Sequence, residues 1–155
     1  MNLDGNFTFK GPRVIVWELL QDPEVLAKAL PGTERLELTS PDHFQGVMKV
    51  SVGPDTAAKF DVTVVLLDKV APERFTMQID GKGNVGYTKG TASILLADTA
   101  DAATTLQYTS NIQVGGKIAA VGQRLLESVS KMMMRQAFEA LERELEKRLK
   151  GGEPA

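Results

Sequence analysis

The most motif-like stretch of the chain is Gly81-Lys82-Gly83-Asn84-Val85-Gly86, a literal GxGxxG. In a dinucleotide-binding turn such glycines follow a strand and open a helix, so that backbone N–H groups can hold a pyrophosphate. Here the next residues, Tyr87 to Leu96, alternate as a strand does. The spacing therefore predicts a hairpin turn, with glycines supplying positive φ. Gly115-Gly116-Lys117 lacks the upstream glycine and the following Ser or Thr of a phosphate-binding loop. It reads as a strand-to-helix turn.

Acid–base and metal chemistry are poorly served. The chain has no cysteine and a single histidine, His43. That excludes a disulfide scaffold, a zinc–cysteine site, an iron–sulfur cluster, a thiol nucleophile and any site needing two histidines. His43 follows Pro41-Asp42 in a turn, with no local orienting partner for a general base. The acidic pairs Glu34/Glu37 and Glu142/Glu146 fall on segments expected to face water. No catalytic constellation and no metal site emerge, and the chain reads as a non-enzyme.

Met132-Met133-Met134 and Phe138 stand out on a helical segment. Methionine adapts its shape and is common on apolar binding surfaces. Two readings stand: core filling, or the wall of an apolar ligand cavity. Val25, Leu26, Ala29, Leu30 and Pro31 form an apolar group on a short helix. They too have two readings, core contact or a surface touching lipid or a partner.

These residues must be positioned by one domain. The 155 residues are 43% hydrophobic and 25% charged, a globular balance with enough chain to bury a core. Eighteen basic residues against twenty acidic give a net charge of −2, which does not support nucleic-acid binding. No run approaches 18 apolar residues, and the start of the chain does not resemble a secretory signal. The expectation is a cytoplasmic protein whose membrane contact is peripheral.

Asn2 to Lys10 alternates Leu3, Gly5, Phe7 and Phe9 with polar neighbours, as a half-buried strand does. Pro12 suits the first turn of a short helix from Arg13 to Leu20, and Asp22 can cap a second from Pro23 to Ala29. Six strand-like runs follow: Glu34–Thr39, Phe44–Val52, Ala57–Val70, Arg74–Gly81, Tyr87–Ala97 and Thr104–Val114. Turn-rich joints separate them at hairpin spacing. From Lys117 to Lys150 there is no proline, and the apolar spacing predicts one continuous helix. Gly122 would then lie inside it, explained by close approach to the sheet. Residues 151–155 read as a flexible tail after a single domain spanning 1–150.

Several segments, in order, resemble the CoxG-like family of carbon monoxide dehydrogenase proteins, within the START/Bet v 1-like (SRPBCC) superfamily. They are Asp22-Pro23-Glu24-Val25-Leu26-Ala27, Leu30-Pro31-Gly32, Gly46 to Val50 with Val52-Gly53-Pro54, Gly81-Lys82-Gly83, and Val114 to Ala119 with Gly122 to Leu126. The resemblance implies an α+β helix-grip fold: a seven-stranded curved antiparallel sheet around a long C-terminal helix, with two short helices after the first strand. It also implies a hydrophobic cavity, and a link to a molybdenum CO dehydrogenase or related hydroxylase at the inner membrane face. No catalytic residues come with it.

The expected function is thus a non-catalytic carrier of a lipid or isoprenoid quinone, with no tightly bound cofactor. Its expected ligand contacts are Phe60, Met77, Tyr87, Tyr108, Met132, Met133 and Phe138, the tyrosine hydroxyls bonding a ligand carbonyl. Val25, Leu26 and Leu30 are the expected membrane or partner contacts. The alternatives are a ligand-free recruitment or assembly adaptor for the same oxidoreductase, or a polyketide-cyclase-like enzyme. The last would need an acid or base inside the cavity.

Overall fold

A computed structural model describes residues 1–51 and 57–151. Val52 and the turn residues Gly53-Pro54-Asp55 lie outside the described residues, as do positions 152–155 of the tail.

Strand β1 (Asn2–Phe9) leads into helices α1 (Arg13–Gln21) and α2 (Pro23–Ala29). Strands β2 (Thr33–Ser40), β3 (His43–Ser51), β4 (Ala57–Val70), β5 (Arg74–Gly83), β6 (Gly86–Asp98) and β7 (Thr104–Gly115) follow. A short 3-10 turn (Lys117–Val121) then precedes helix α3 (Gln123–Lys150). All seven strands join one antiparallel sheet in the order β1-β7-β6-β5-β4-β3-β2. Each central pairing is a hairpin, and β1 closes against β7. The two edges, β1 and β2, are therefore neighbours in sequence but stand at opposite ends of the sheet.

Alternation sorts the faces of the sheet. Phe60, Val62 and Leu66 of β4, Phe75 of β5, Ala92, Ile94 and Leu96 of β6, and Leu106 and Tyr108 of β7 are buried on the concave side. The GxGxxG stretch is the β5–β6 hairpin: Gly83 pairs with Gly86 across Asn84-Val85. Of its three glycines, Gly86 takes positive φ, at 144°. At Gly83 a Cβ would meet the Lys59 carbonyl, so the demand there is space rather than φ. His43 opens β3 on the exposed surface, and its Nδ1 lies 2.9 Å from the Pro41 carbonyl oxygen.

The terminal helix departs from expectation. It is broken at Gly122, which has φ 101° and nothing within 4 Å of the position a Cβ would take. Close approach to the sheet is thus not its role. Gly122 sets the angle between the 3-10 turn and α3 in a conformation that L-residues adopt at a cost. The remaining 28-residue helix is about 42 Å long.

The two halves of α3 are held very differently. In the C-terminal half, Ala137, Leu141 and Leu145 are buried, and Leu145 lies against Gly11 with no exposure at all. Burying a leucine contributes about 2 kcal/mol. Glu142 accepts the Lys10 N–H (3.2 Å), so it anchors β1 rather than simply facing water. Arg148 reaches Asp22 (3.3 Å), which also caps α2 through the Glu24 N–H (3.0 Å). From Gln123 to Gln136 no residue is fully buried.

Because Gly122 is strained for any other residue, Gly122→Ala should destabilise the fold by about 1–2 kcal/mol, opposite in sign to the usual gain inside a helix. Urea unfolding of the two proteins measures this, and a stabilised alanine variant would contradict the hinge geometry.

Candidate functional site

The interior is divided. The larger cluster gathers α1, α2, the C-terminal half of α3 and the sheet from Leu66 and Phe75 to Leu106 and Tyr108. A smaller one joins Ala58, Phe60, Val62 and Ile118, with Leu126 and Val129 of α3 packed on it. Between them runs one ladder row, Val64–Ile79–Gly90–Ile112, crossing β4, β5, β6 and β7. All four residues are only half-buried although they sit mid-sheet. Ile79 and Ile112 belong to neither cluster, and nor do the half-buried Ser130 and Met133 of α3. Gly90 leaves the middle of the row without a side chain.

The seven expected ligand contacts separate on this geometry. Phe60 is buried in the smaller cluster, and Met77 is half-buried against the larger one. Tyr108 and Phe138 meet with ring centroids 5.7 Å apart, and Phe138 also stacks on Phe7 at 5.4 Å. Met133 is half-buried on α3. Tyr87 and Met132 do not join them. Tyr87 pairs with Lys82 and Gly115 on the convex face, is 41% exposed, and lays its ring over Gly115. One position of strand register decides this, since Thr88 is the neighbour that turns inward. Met132 is 42% exposed, because it falls on the helix side opposite Ala137 and Leu141.

The apolar group on α2 is likewise not a free surface. Val25 is buried, while Leu26 is half-buried against the larger cluster. Leu30 is half-buried as well. Helix α2 spends its apolar side on β2 and α3. What the sequence reading missed is an exposed alternative at the 3-10 turn and the first turns of α3. There Lys117, Arg124, Lys131 and Arg135 are exposed, and none joins an ion pair among the described residues. Leu125 and Met132 lie exposed on the same stretch.

Polar chemistry inside is sparse. Thr104 is the one fully buried polar side chain among the described residues, and it donates to the Gly11 carbonyl (2.8 Å). Ser110 donates to the Leu3 carbonyl (3.1 Å). The Gln21 Nε2 and Thr33 Oγ1 atoms are buried without partners. Among the described residues no group of three or more His, Cys, Asp or Glu is placed to hold a metal ion. Burial raises the Tyr108 pKa above its usual 10, and the negative charge of Asp4 adds to the rise. The phenol therefore stays protonated, a donor, across the physiological range.

Among the described residues, two open depressions can be placed on the surface. One, about 350 Å³, lies on the convex side of β1, β7 and β6, lined by Asp4, Ser93 and Asn111 among others. The second, about 430 Å³, sits between Gln21, the β2–β3 turn and Lys69. Both are open to solvent, and neither lies between α3 and the sheet. Neither depression is the enclosed hydrophobic cavity that the resemblance implies.

The architecture defines a START-like helix-grip protein. The chain resembles a START superfamily protein from Mycobacterium smegmatis (TM-score 0.74, 11% identity, covering 94% of this chain and 97% of that one). It also resembles the ZhuI aromatase/cyclase from Streptomyces sp. R1128 (TM-score 0.69, 17% identity, covering 100% and 99%). A conserved protein from Geobacillus kaustophilus is similar at 30% identity and TM-score 0.90, over 96% of this chain and 97% of that one. None of the curated proteins matches in sequence. Residues 5–146 match the carbon monoxide dehydrogenase CoxG family, and the chain belongs to that family.

A Tyr87→Phe variant leaves Tyr108 as the sole tyrosine. Its ultraviolet titration should have a midpoint above 10, and Asp4→Asn should move that midpoint down. Because the folded-state pKa is raised, the contribution of neutral Tyr108 to stability should be complete below pH 10 and fall as pH rises through the folded value. A midpoint at or below 10 would contradict the buried setting.

Proposed function

We propose that this protein is a non-catalytic carrier of a lipid or isoprenoid quinone that links a molybdenum CO dehydrogenase or related hydroxylase to the inner membrane face. One observation carries the reading: the half-buried row Val64–Ile79–Gly90–Ile112 between two packed clusters. A linear apolar molecule sliding along that row would complete the burial of Ile79, Ile112 and Met133. Roughly every 40 Å² of apolar surface removed from water contributes about 1 kcal/mol. Met77 is the inward neighbour of Ile79 on β5, while Phe60 and Tyr108 stand four residues along their strands from Val64 and Ile112. The Tyr108 hydroxyl supplies a donor for a quinone carbonyl.

Helix α3 is built to admit such a ligand. Its C-terminal half is fixed by Leu141, Leu145 and Arg148, while its N-terminal half starts from the positive-φ Gly122 and buries no residue completely. Membrane contact falls on that same N-terminal half rather than on Val25, Leu26 and Leu30. Lys117, Arg124, Lys131 and Arg135 face the anionic lipid headgroups, and Leu125 and Met132 enter the interface between them. Opening would then occur where the quinone is dissolved. A non-enzymatic role fits an inner wall on which no Asp, Glu or His is buried among the described residues.

The test is native mass spectrometry of the full chain with decylubiquinone. A bound adduct is expected, and Ile79→Trp, which fills the row, should weaken it at least tenfold while the fold persists. A wild-type protein that takes up no quinone, or an Ile79→Trp protein that binds equally well, would refute the carrier. Vesicle flotation tests the surface: binding to phosphatidylglycerol vesicles should fall at least fivefold in Arg124→Glu/Lys131→Glu and be unchanged in Lys28→Glu on α2.

A further inference from the structure

The two edges of the sheet are treated very differently. β2 carries Glu34, Arg35 and Glu37, and its pairing with β3 slips at Thr33/Arg35 and again at Leu38/Ser40. Bulges and charges of this kind stop a strand from recruiting another. β1 has no such slip. It pairs with β7 in unbroken register from Asn2 to Phe9, and Asp4 is its sole charged residue.

The ladder identifies which groups of β1 are unpaired. Met1 and Ile112 exchange both backbone bonds, each at 2.8 Å. Antiparallel pairs alternate, so Leu3, Gly5, Phe7 and Phe9 direct their N–H and C=O groups to β7. Asn2, Asp4, Asn6 and Thr8 direct theirs away from the sheet. Lys10 continues this outward series, and its N–H is met from outside the sheet, by Glu142. Among the described residues, that leaves Asn2 to Thr8 as an open edge, with all four outward residues exposed.

The segment is complementary to itself about Gly5. Turned antiparallel against a copy, Asn2 falls opposite Thr8, Leu3 opposite Phe7, Asp4 opposite Asn6, and Gly5 opposite Gly5. Four hydrogen-bonded pairs then form about eight backbone bonds. Each Asp4 carboxylate faces an Asn6 amide, and apolar Leu3 and Phe7 share the concave face. A shift of two residues one way sets the two Asp4 side chains against each other. The opposite shift spends the open end on Lys10, whose N–H is already taken. We propose that two copies of this protein associate through β1, in this register, to make one continuous fourteen-stranded sheet. The dimer is independent of the ligand and membrane readings, since the concave row and the cationic turns of α3 take no part in it.

Sedimentation equilibrium on the full chain tests it. A concentration-dependent species at twice 16.8 kDa is expected. Asn6→Pro removes an outward N–H without touching the bonds to β7, and should give monomer. Asn6→Asp places a second carboxylate against Asp4 and should weaken association at least tenfold. Asn6→Lys should strengthen it. The last two decide the matter even if the proline variant fails to fold. A single 16.8 kDa species at every concentration overturns the proposal. So does a dimer whose affinity is unchanged in both Asn6→Asp and Asn6→Lys, including one formed through another surface.

Discussion

One sheet with a single apolar face has to be covered by too little helix. Seven strands at about 4.8 Å spacing span roughly 29 Å, whereas a helix with its side chains is about 10–12 Å wide. Curvature brings the strands toward α3 but does not close the difference. Helices α1 and α2 complete the cover at the end where Trp17 meets Phe75 edge-on at 5.4 Å. The 3-10 turn seals the opposite end through Ile118, which donates its N–H to the Val85 carbonyl (2.8 Å). The strip between these seals is the part of the face that the available cover does not reach.

This shortfall accounts for the unequal halves of α3. Where α1, α2 and β1 converge, the helix finds partners on three sides, and Leu141 and Leu145 disappear from solvent. The half-exposed ion pairs of Arg148 add little beyond orientation, about 0–1 kcal/mol each. Toward Gly122 the helix has the sheet on one side and water on the other. A segment with few buried contacts opens at low free energy, and such segments are where ligands are admitted. The buried contacts of the helix are thus concentrated at its C-terminal end.

The same fold serves other chemistry: the Streptomyces protein resembled here is an aromatase/cyclase by name. At 17% identity that likeness concerns architecture, and function has to be read from the side chains lining the grip. In this chain they are mostly aliphatic, aromatic and thioether groups, with the hydroxyls of Thr88, Ser110 and Tyr108 among them. That set suits solvation of an apolar molecule and one directed hydrogen bond.

Much of this was legible from the residues. The seven strands, both short helices, the inward set of β4 to β7 and the hairpin nature of the GxGxxG stretch follow from period-two alternation and turn chemistry, which are local. The sequence likewise determined that no cysteine chemistry is available. Tyr87 and Met132 turn outward by the same alternation and helix phase that bury Ala92, Ile94, Ala137 and Leu141, so their facing too was written locally. Two matters were decided by tertiary structure. Val25 is buried and Leu26 and Leu30 are half-buried because α2 folds onto β2 and α3, a long-range contact that composition does not encode. Gly122 breaks the helix because its φ is set by where the 3-10 turn and α3 must each pack, whereas apolar spacing runs through the position without interruption. Local periodicity specifies elements; only the packed whole specifies which of their faces remain open.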